Sequence, residues 1–241
     1  MSRLMLHGGW SATLADLAAV PVPEATESYV PVPHPRLIEE IKLHVPRFGL
    51  TIEKEEYGLA REGAQMFGVL TCRNGRPAPD YHLALGCRSS LDRSLSIGLV
   101  LGSSVVCCSN LAFSGEVQAH RKHTVNVFRD LPDLIYTMLS KVSSMRTRID
   151  GEIAAMKSRD ITPPTAHHLM VEAIRANVLS ASRLPKVIEA WEEPAQAEFS
   201  PRTAWSLFNA FTEIAKTSPP RAQMDGSLRL SSLFRRELQL A

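Results

Sequence analysis

Aromatic residues make up only 6% of this 241-residue chain, with 3 Trp, 4 Tyr and 8 Phe. The segments that read as strands carry few of them, chiefly Tyr57, Phe67 and Tyr81, so a base-stacking platform of the RNA-recognition or cold-shock type has no support. Cysteine is scarce as well: Cys72, Cys87, Cys107 and Cys108 are the 4 present. None of them forms a C-x-x-C pair, and neighbouring Cys107 and Cys108 on a strand would point to opposite faces, which argues against a zinc site. Free buried thiols in a reducing compartment are the expectation. The longest apolar runs, residues 95–101 and 105–113, are broken by Ser, Gly and Asn and fall short of the roughly 20 residues a spanning helix needs, so no membrane partner is expected. His7, Gly8 and Gly9 interrupt what would be the apolar core of a signal peptide, and a cytoplasmic location is expected. No phosphate-cradling Walker loop, dinucleotide fingerprint, G-x-S-x-G elbow or H-E-x-x-H helix occurs. No cofactor, metal or catalytic residue is therefore assigned.

What is present describes a globular chain. The apolar fraction is 44% and the charged fraction 22%, and the length suffices for a core without covalent staples. The net charge is only +2, but it is unevenly spread. Residues 1–60 hold 5 Lys/Arg against 8 Asp/Glu, and residues 61–129 hold 8 basic against 4 acidic residues. A basic middle region is the footprint expected of a phosphate-bearing partner.

The periodicities predict an α+β fold: an antiparallel sheet of about five strands flanked by an N-terminal helix and a C-terminal set of helices. After a short helix near Ser11 to Ala19, Pro21, Pro23, Pro31 and Pro33 keep the chain extended, as an arm laid over a domain. Pro35 opens a helix with Leu37, Ile38, Ile41 and Val45 on one side, and Gly49 ends it. From Leu50 onward the period is two, with turns at Gly63, Asn74-Gly75, Asp92 and Gly102-Ser103. Leu131, Leu134, Ile135, Met138, Leu139 and Val142 mark an amphipathic helix that runs to about Lys157. Thr162-Pro163-Pro164 caps the next helix, Pro185 starts another, and Ser200-Pro201 is the expected cap of a helix bearing Trp205, Phe208 and Phe211. These aromatics, with Trp191, read as core. The expected division is a sheet-centred domain over residues 1–160 with its proline-rich arm, a helical part over 161–217 packed on it, and a flexible tail over 218–241.

Three polar segments stand out. Arg88-Ser89-Ser90-Leu91-Asp92-Arg93-Ser94 joins two buried strands, Asn110 closes a third, and His120-Arg121-Lys122-His123 follows. If these strands are neighbours, the segments gather at one end of the sheet. Arg88, Ser90, Asp92, Arg93, Ser94, Asn110, His120, Arg121, Lys122 and His123 are the candidate nucleic-acid contacts: cations for phosphates, with hydroxyl and turn donors between them.

The early run Met1-Ser2-Arg3-Leu4-Met5-Leu6-His7, the segment Tyr29-Val30-Pro31-Val32-Pro33-His34, the loop from Arg88 to Ser94, and Cys108-Ser109-Asn110-Leu111-Ala112-Phe113-Ser114-Gly115-Glu116 ahead of Arg121-Lys122-His123-Thr124 occur in a fixed order. Phe199-Ser200-Pro201-Arg202-Thr203-Ala204-Trp205-Ser206-Leu207-Phe208-Asn209 follows them. The series resembles the phage/plasmid-like proteins known as domain of unknown function 932. That family's polar loop reads Asn-Ser-His-Asp, then a small residue and Ser. In this chain Ser89 and Leu91 stand in place of the amide and the imidazole, while Ser90, Asp92 and Ser94 remain. The resemblance implies an origin on a mobile element, in a setting of DNA processing or defence evasion.

The expected function is thus that of a mobile-element-derived protein binding single- or double-stranded DNA by its backbone, as a single-strand annealing or recombination accessory and as a homo-oligomer. Two other readings stay open: a protein-binding anti-restriction or anti-defence factor, and a nucleic-acid hydrolase using Asp92, Asn110 and His123.

Overall fold

Thr13 and Asp16 form a reciprocal cap: the Asp16 N–H donates to the Thr13 hydroxyl at 3.2 Å and the Thr13 N–H to the Asp16 carboxylate at 2.7 Å. Two donors at a helix start are thereby satisfied together. The cap separates strand β1 (Gly9–Ala12) from helix α1 (Leu14–Ala19). The computed structural model describes residues 9–74, 81–105, 111–218 and 220–239. Within them lie α2 (His34–His44), β2 (Leu50–Ala60), β3 (Gln65–Asn74), β4 (Tyr81–Ser90), β5 (Ile97–Val105) and β6 (Leu111–Arg121). The helices that follow are α3 (Val127–Leu139), α4 (Val142–Lys157), α5 (Pro163–Arg175), α6 (Leu184–Glu192), α7 (Ala204–Ala215) and α8 (Pro220–Leu238).

The chain forms two compact units, Met1–Ser104 with Gly115–Ser143 and Val105–Ser114 with Ser144–Ala241. The class is α+β as expected, and the antiparallel sheet has six strands in the order β1-β2-β3-β4-β5-β6. The additional strand is short β1. Gly102 and Ser103, read as a turn, lie inside β5.

In the first unit the β2–β3 hairpin turns through Arg61, Glu62 and Gly63, which have φ of 50°, 57° and 90°. Gly63 suits that geometry because it has no Cβ. One sheet face carries Tyr57, Leu59, Met66, Leu70, Leu85 and Cys87, all buried, and α2 and α3 supply Leu37, Ile38, Ile41, Leu131, Ile135 and Met138 to the same core. Burial pushes the thiols of Cys72 and Cys87 up to about 12, so both stay protonated and inert. Cys107 and Cys108 lie outside the described residues. The proline-rich arm does lie on this unit: Tyr29 and Val32 are buried, and the Val30 N–H donates to the His123 carbonyl at 3.1 Å.

The single long helix expected up to Lys157 is two helices, α3 and α4, parted at Ser140 and Lys141. In the second unit Trp191, Trp205, Phe208 and Phe211 are core, as their spacing implied. The cap of α7 is not Ser200 but Thr203, whose hydroxyl accepts from the Ser206 N–H at 3.3 Å. The segment expected to be a flexible tail is largely α8. Its Leu230, Leu233, Phe234 and Leu238 recur at three- and four-residue intervals and are buried. Phe234 meets Phe208 edge-on at 5.3 Å. Arg235, one of the arginines that made the segment look solvated, donates from Nε to Glu152 of α4 at 2.8 Å.

Candidate functional site

The loop after β4 docks on the β2–β3 turn. The Leu91 N–H donates to the Ala64 carbonyl at 2.7 Å, and Gln65 Nε2 to Ser94 Oγ at 2.7 Å. Ser90 closes the loop on itself, its hydroxyl donating to the Leu95 carbonyl at 3.1 Å and accepting from the Leu95 N–H at 2.9 Å. Leu91 is buried. Asp92 accepts from the Ser94 N–H at 3.0 Å and from the Ser94 hydroxyl, and faces Arg61 at 3.6 Å. Partial burial raises its proton affinity, but these hydrogen bonds and the guanidinium outweigh it and hold the carboxyl below its ordinary value. Ser90, Asp92 and Ser94 therefore build the loop.

What the loop presents is Arg93. Its φ of 64° lies in the left-handed region, and its guanidinium sits over the Tyr29 ring, 4.5 Å from the centroid. The Tyr29 hydroxyl donates to the Leu91 carbonyl at 3.0 Å. An aromatic pillar anchored to the loop thus supports the cation. His123 stands beside Tyr29, the ring centroids 5.6 Å apart and the rings tilted. His123 Nε2 is 3.3 Å from the hydroxyl of fully buried Ser89, and its Nδ1 is buried with no hydrogen-bond partner. Burial lowers the affinity of His123 for a second proton, and nearby His34 adds to the effect.

Arg93, Lys122 and His123 line a cleft of about 310 Å³ together with Ser28, Ser96 and Thr124. Two segments that are distant in sequence do converge. Neither Arg93 nor Lys122 has an ion-pair partner among the described residues. The remaining candidates are elsewhere. Arg121 is tied to Asp130 of α3 at 2.5 Å and donates to the Thr124 hydroxyl at 3.2 Å. Arg88 precedes Ser89 on β4, so its side chain leaves from the opposite face of the sheet. There it lies over Gly98: a Cβ on that glycine would meet Arg88 Nε at 2.8 Å and His120 Nδ1 at 3.3 Å. Arg88 and His120 thus both lie beside Gly98, apart from the cleft. Asn110 lies outside the described residues.

Tyr29, Ser28, Ser96 and Thr124 escaped the sequence reading. Tyr29 left one signal, an aromatic set among the prolines of an otherwise polar arm. The hydroxyl residues left none. Among the described residues no group of three or more His, Cys, Asp or Glu side chains is placed to hold a metal ion, and no helix is long and apolar enough to cross a membrane.

With this geometry in view, residues 25–234 match a family model described as Domain of unknown function (DUF932). The chain belongs to that family. No curated protein and no solved structure matches it. In this DUF932 member the polar loop and the basic run form one cleft, while Asp92 and His123, the pair a hydrolase would need, are engaged separately: Asp92 by Ser94 and Arg61, His123 by Ser89 and the arm.

Proposed function

We propose that this DUF932 protein binds single-stranded DNA by its phosphates, as an accessory to annealing or recombination on a mobile element. The observation behind the reading is the cleft in which Arg93 and Lys122 face Ser28, Ser96 and Thr124. Two cations without acidic partners and a set of neutral donors suit a phosphate group and carry no base readout, so sequence preference is weak. A single strand bends enough to bring a phosphate to a cleft of this size, whereas the stiff duplex presents its phosphates on a convex surface. The exposed aromatics Trp10, Phe128 and Tyr136 do not line the cleft, which fits backbone recognition better than base stacking.

Fluorescence anisotropy with a labelled single-stranded oligonucleotide across a salt series tests the reading. Lys122→Ser is expected to weaken binding about tenfold, the loss of one charge-assisted contact worth roughly 1.5 kcal/mol. Arg88→Ser and His120→Ser, on the other sheet face, are expected to leave affinity within about twofold, since a distant rim charge contributes little. Absence of binding at low salt, or equal weakening by all three changes, overturns the proposal.

A further inference from the structure

Among the described residues, the cations of β3, β4 and the segments that follow them do not share one surface. Arg121 is tied to Asp130, which Arg129 also pairs with at 2.8 Å, Arg61 faces Asp92, and Arg73 pairs with Glu53 at 3.3 Å. Arg88 is on the opposite face. Arg93 and Lys122 converge on one cleft, where a protein following a strand would need further cations at each successive phosphate.

An internal phosphodiester offers two free oxygens and one negative charge. A terminal phosphomonoester offers three oxygens and between one and two charges at neutral pH. The cleft has two cations and the hydroxyls of Ser28, Ser96 and Thr124, so its donor set matches the terminal group. The Thr124 hydroxyl already accepts from Arg121, which turns its own proton toward another acceptor. Its volume of about 310 Å³ lies at the lower end of small-ligand sites, room for a phosphate with its sugar but not for a tract of strand.

Resting on the single-strand reading above, we infer that the cleft recognises a terminal phosphomonoester, so that the protein engages the phosphorylated end of a DNA strand. The full chain is titrated against one labelled oligonucleotide carrying phosphate at both ends and against the same oligonucleotide with hydroxyl ends. Circular single-stranded DNA and a nucleoside 5′-monophosphate serve as competitors. Phosphorylated ends are expected to bind at least about tenfold more tightly, with a log–log salt slope near −1.4, about 0.7 for each of two charges neutralised. Circular DNA is expected not to compete, and the monophosphate to compete only weakly. Equal affinity for the two oligonucleotides, or efficient competition by circular DNA, overturns the inference and leaves the single-strand reading standing. If the monophosphate binds as tightly as the phosphorylated strand, the phosphomonoester site stands and the strand-binding reading falls. If none of the four probes binds, both fall. Arg93→Gly keeps the left-handed backbone accessible, so its loss of end preference separates a missing contact from a misfolded loop.

Discussion

Arg93 combines two features that seldom coincide, a left-handed backbone and a guanidinium stacked on a buried tyrosine. Holding a non-glycine residue at that φ costs about 1 kcal/mol, and the cation–π contact returns a similar amount, about 0.5–1 kcal/mol. Arg93→Gly removes both, so the urea midpoint should shift by no more than about 1 kcal/mol equivalent while oligonucleotide affinity drops. A large loss of stability would show that Arg93 holds the loop rather than serving it. His34 and His123 give a pH prediction. The carbonyl of Gly63 can only accept, so neutral His34 donates from Nε2 at 3.0 Å and its Nδ1 is left buried without a partner, like that of His123. Burial lowers the proton affinity of both rings below the ordinary value of 6.5. The unfolded chain then binds protons that the folded chain does not, so stability is level above about pH 7 and falls as pH drops through 6.5 toward the lowered folded values. Urea unfolding at about pH 7.5 and about pH 5.5 should show the decline, and His34→Gln should reduce it; an unchanged slope in that variant would count against the assignment.

At the level of strands and helices, packing is tight where β3 passes between β2 and β4. A Cβ on Gly68 would come 2.8 Å from Cys87 Sγ and 3.1 Å from Tyr57 Cδ1. Gly68→Ala should therefore destabilise the protein by about 1–3 kcal/mol through overpacking, read as a lowered midpoint, and Cys87→Ala in the same chain should recover part of the loss. The strands were legible from their period-two sequence pattern, although β4 and the second half of β2 are buried almost throughout, and the turn at Gly63 because a hairpin there needs positive φ. Two element-level features were not. Ser200-Pro201 has the composition of a helix start, yet the helix begins three residues later because Thr203 is held extended by pairing with Asp160. The helical stripe of α8 was present in Leu230, Leu233, Phe234 and Leu238, but Pro219, Pro220, Gly226 and the arginines around it resembled a solvated tail. Arg235 shows why composition misled: a charge on a helix flank can be bound to a neighbour, as it is by Glu152.

Across the molecule, the last helix is structural to the second unit. Phe234 is 1% exposed and meets both Phe208 and Phe211 edge-on. Phe234→Ala should cost about 3–5 kcal/mol, seen as a lower thermal midpoint; a change below about 1 kcal/mol would mean that α8 is dispensable. The cations are where a linear reading reached its limit. Their clustering in the middle of the chain was plain from composition, and so were the α+β class, the antiparallel strands and the family resemblance, because periodicity, turn chemistry and ordered motifs are local properties of the chain. Their division was invisible. Alternation along β4 sends Arg88 and Ser89 to opposite faces, an aspartate on α3 holds Arg121 in place, and a tyrosine from the proline-rich arm supports Arg93 beside a cleft it shares with Lys122. Partnership between residues far apart in sequence depends on strand register and on which helix covers which face, and no local pattern encodes either.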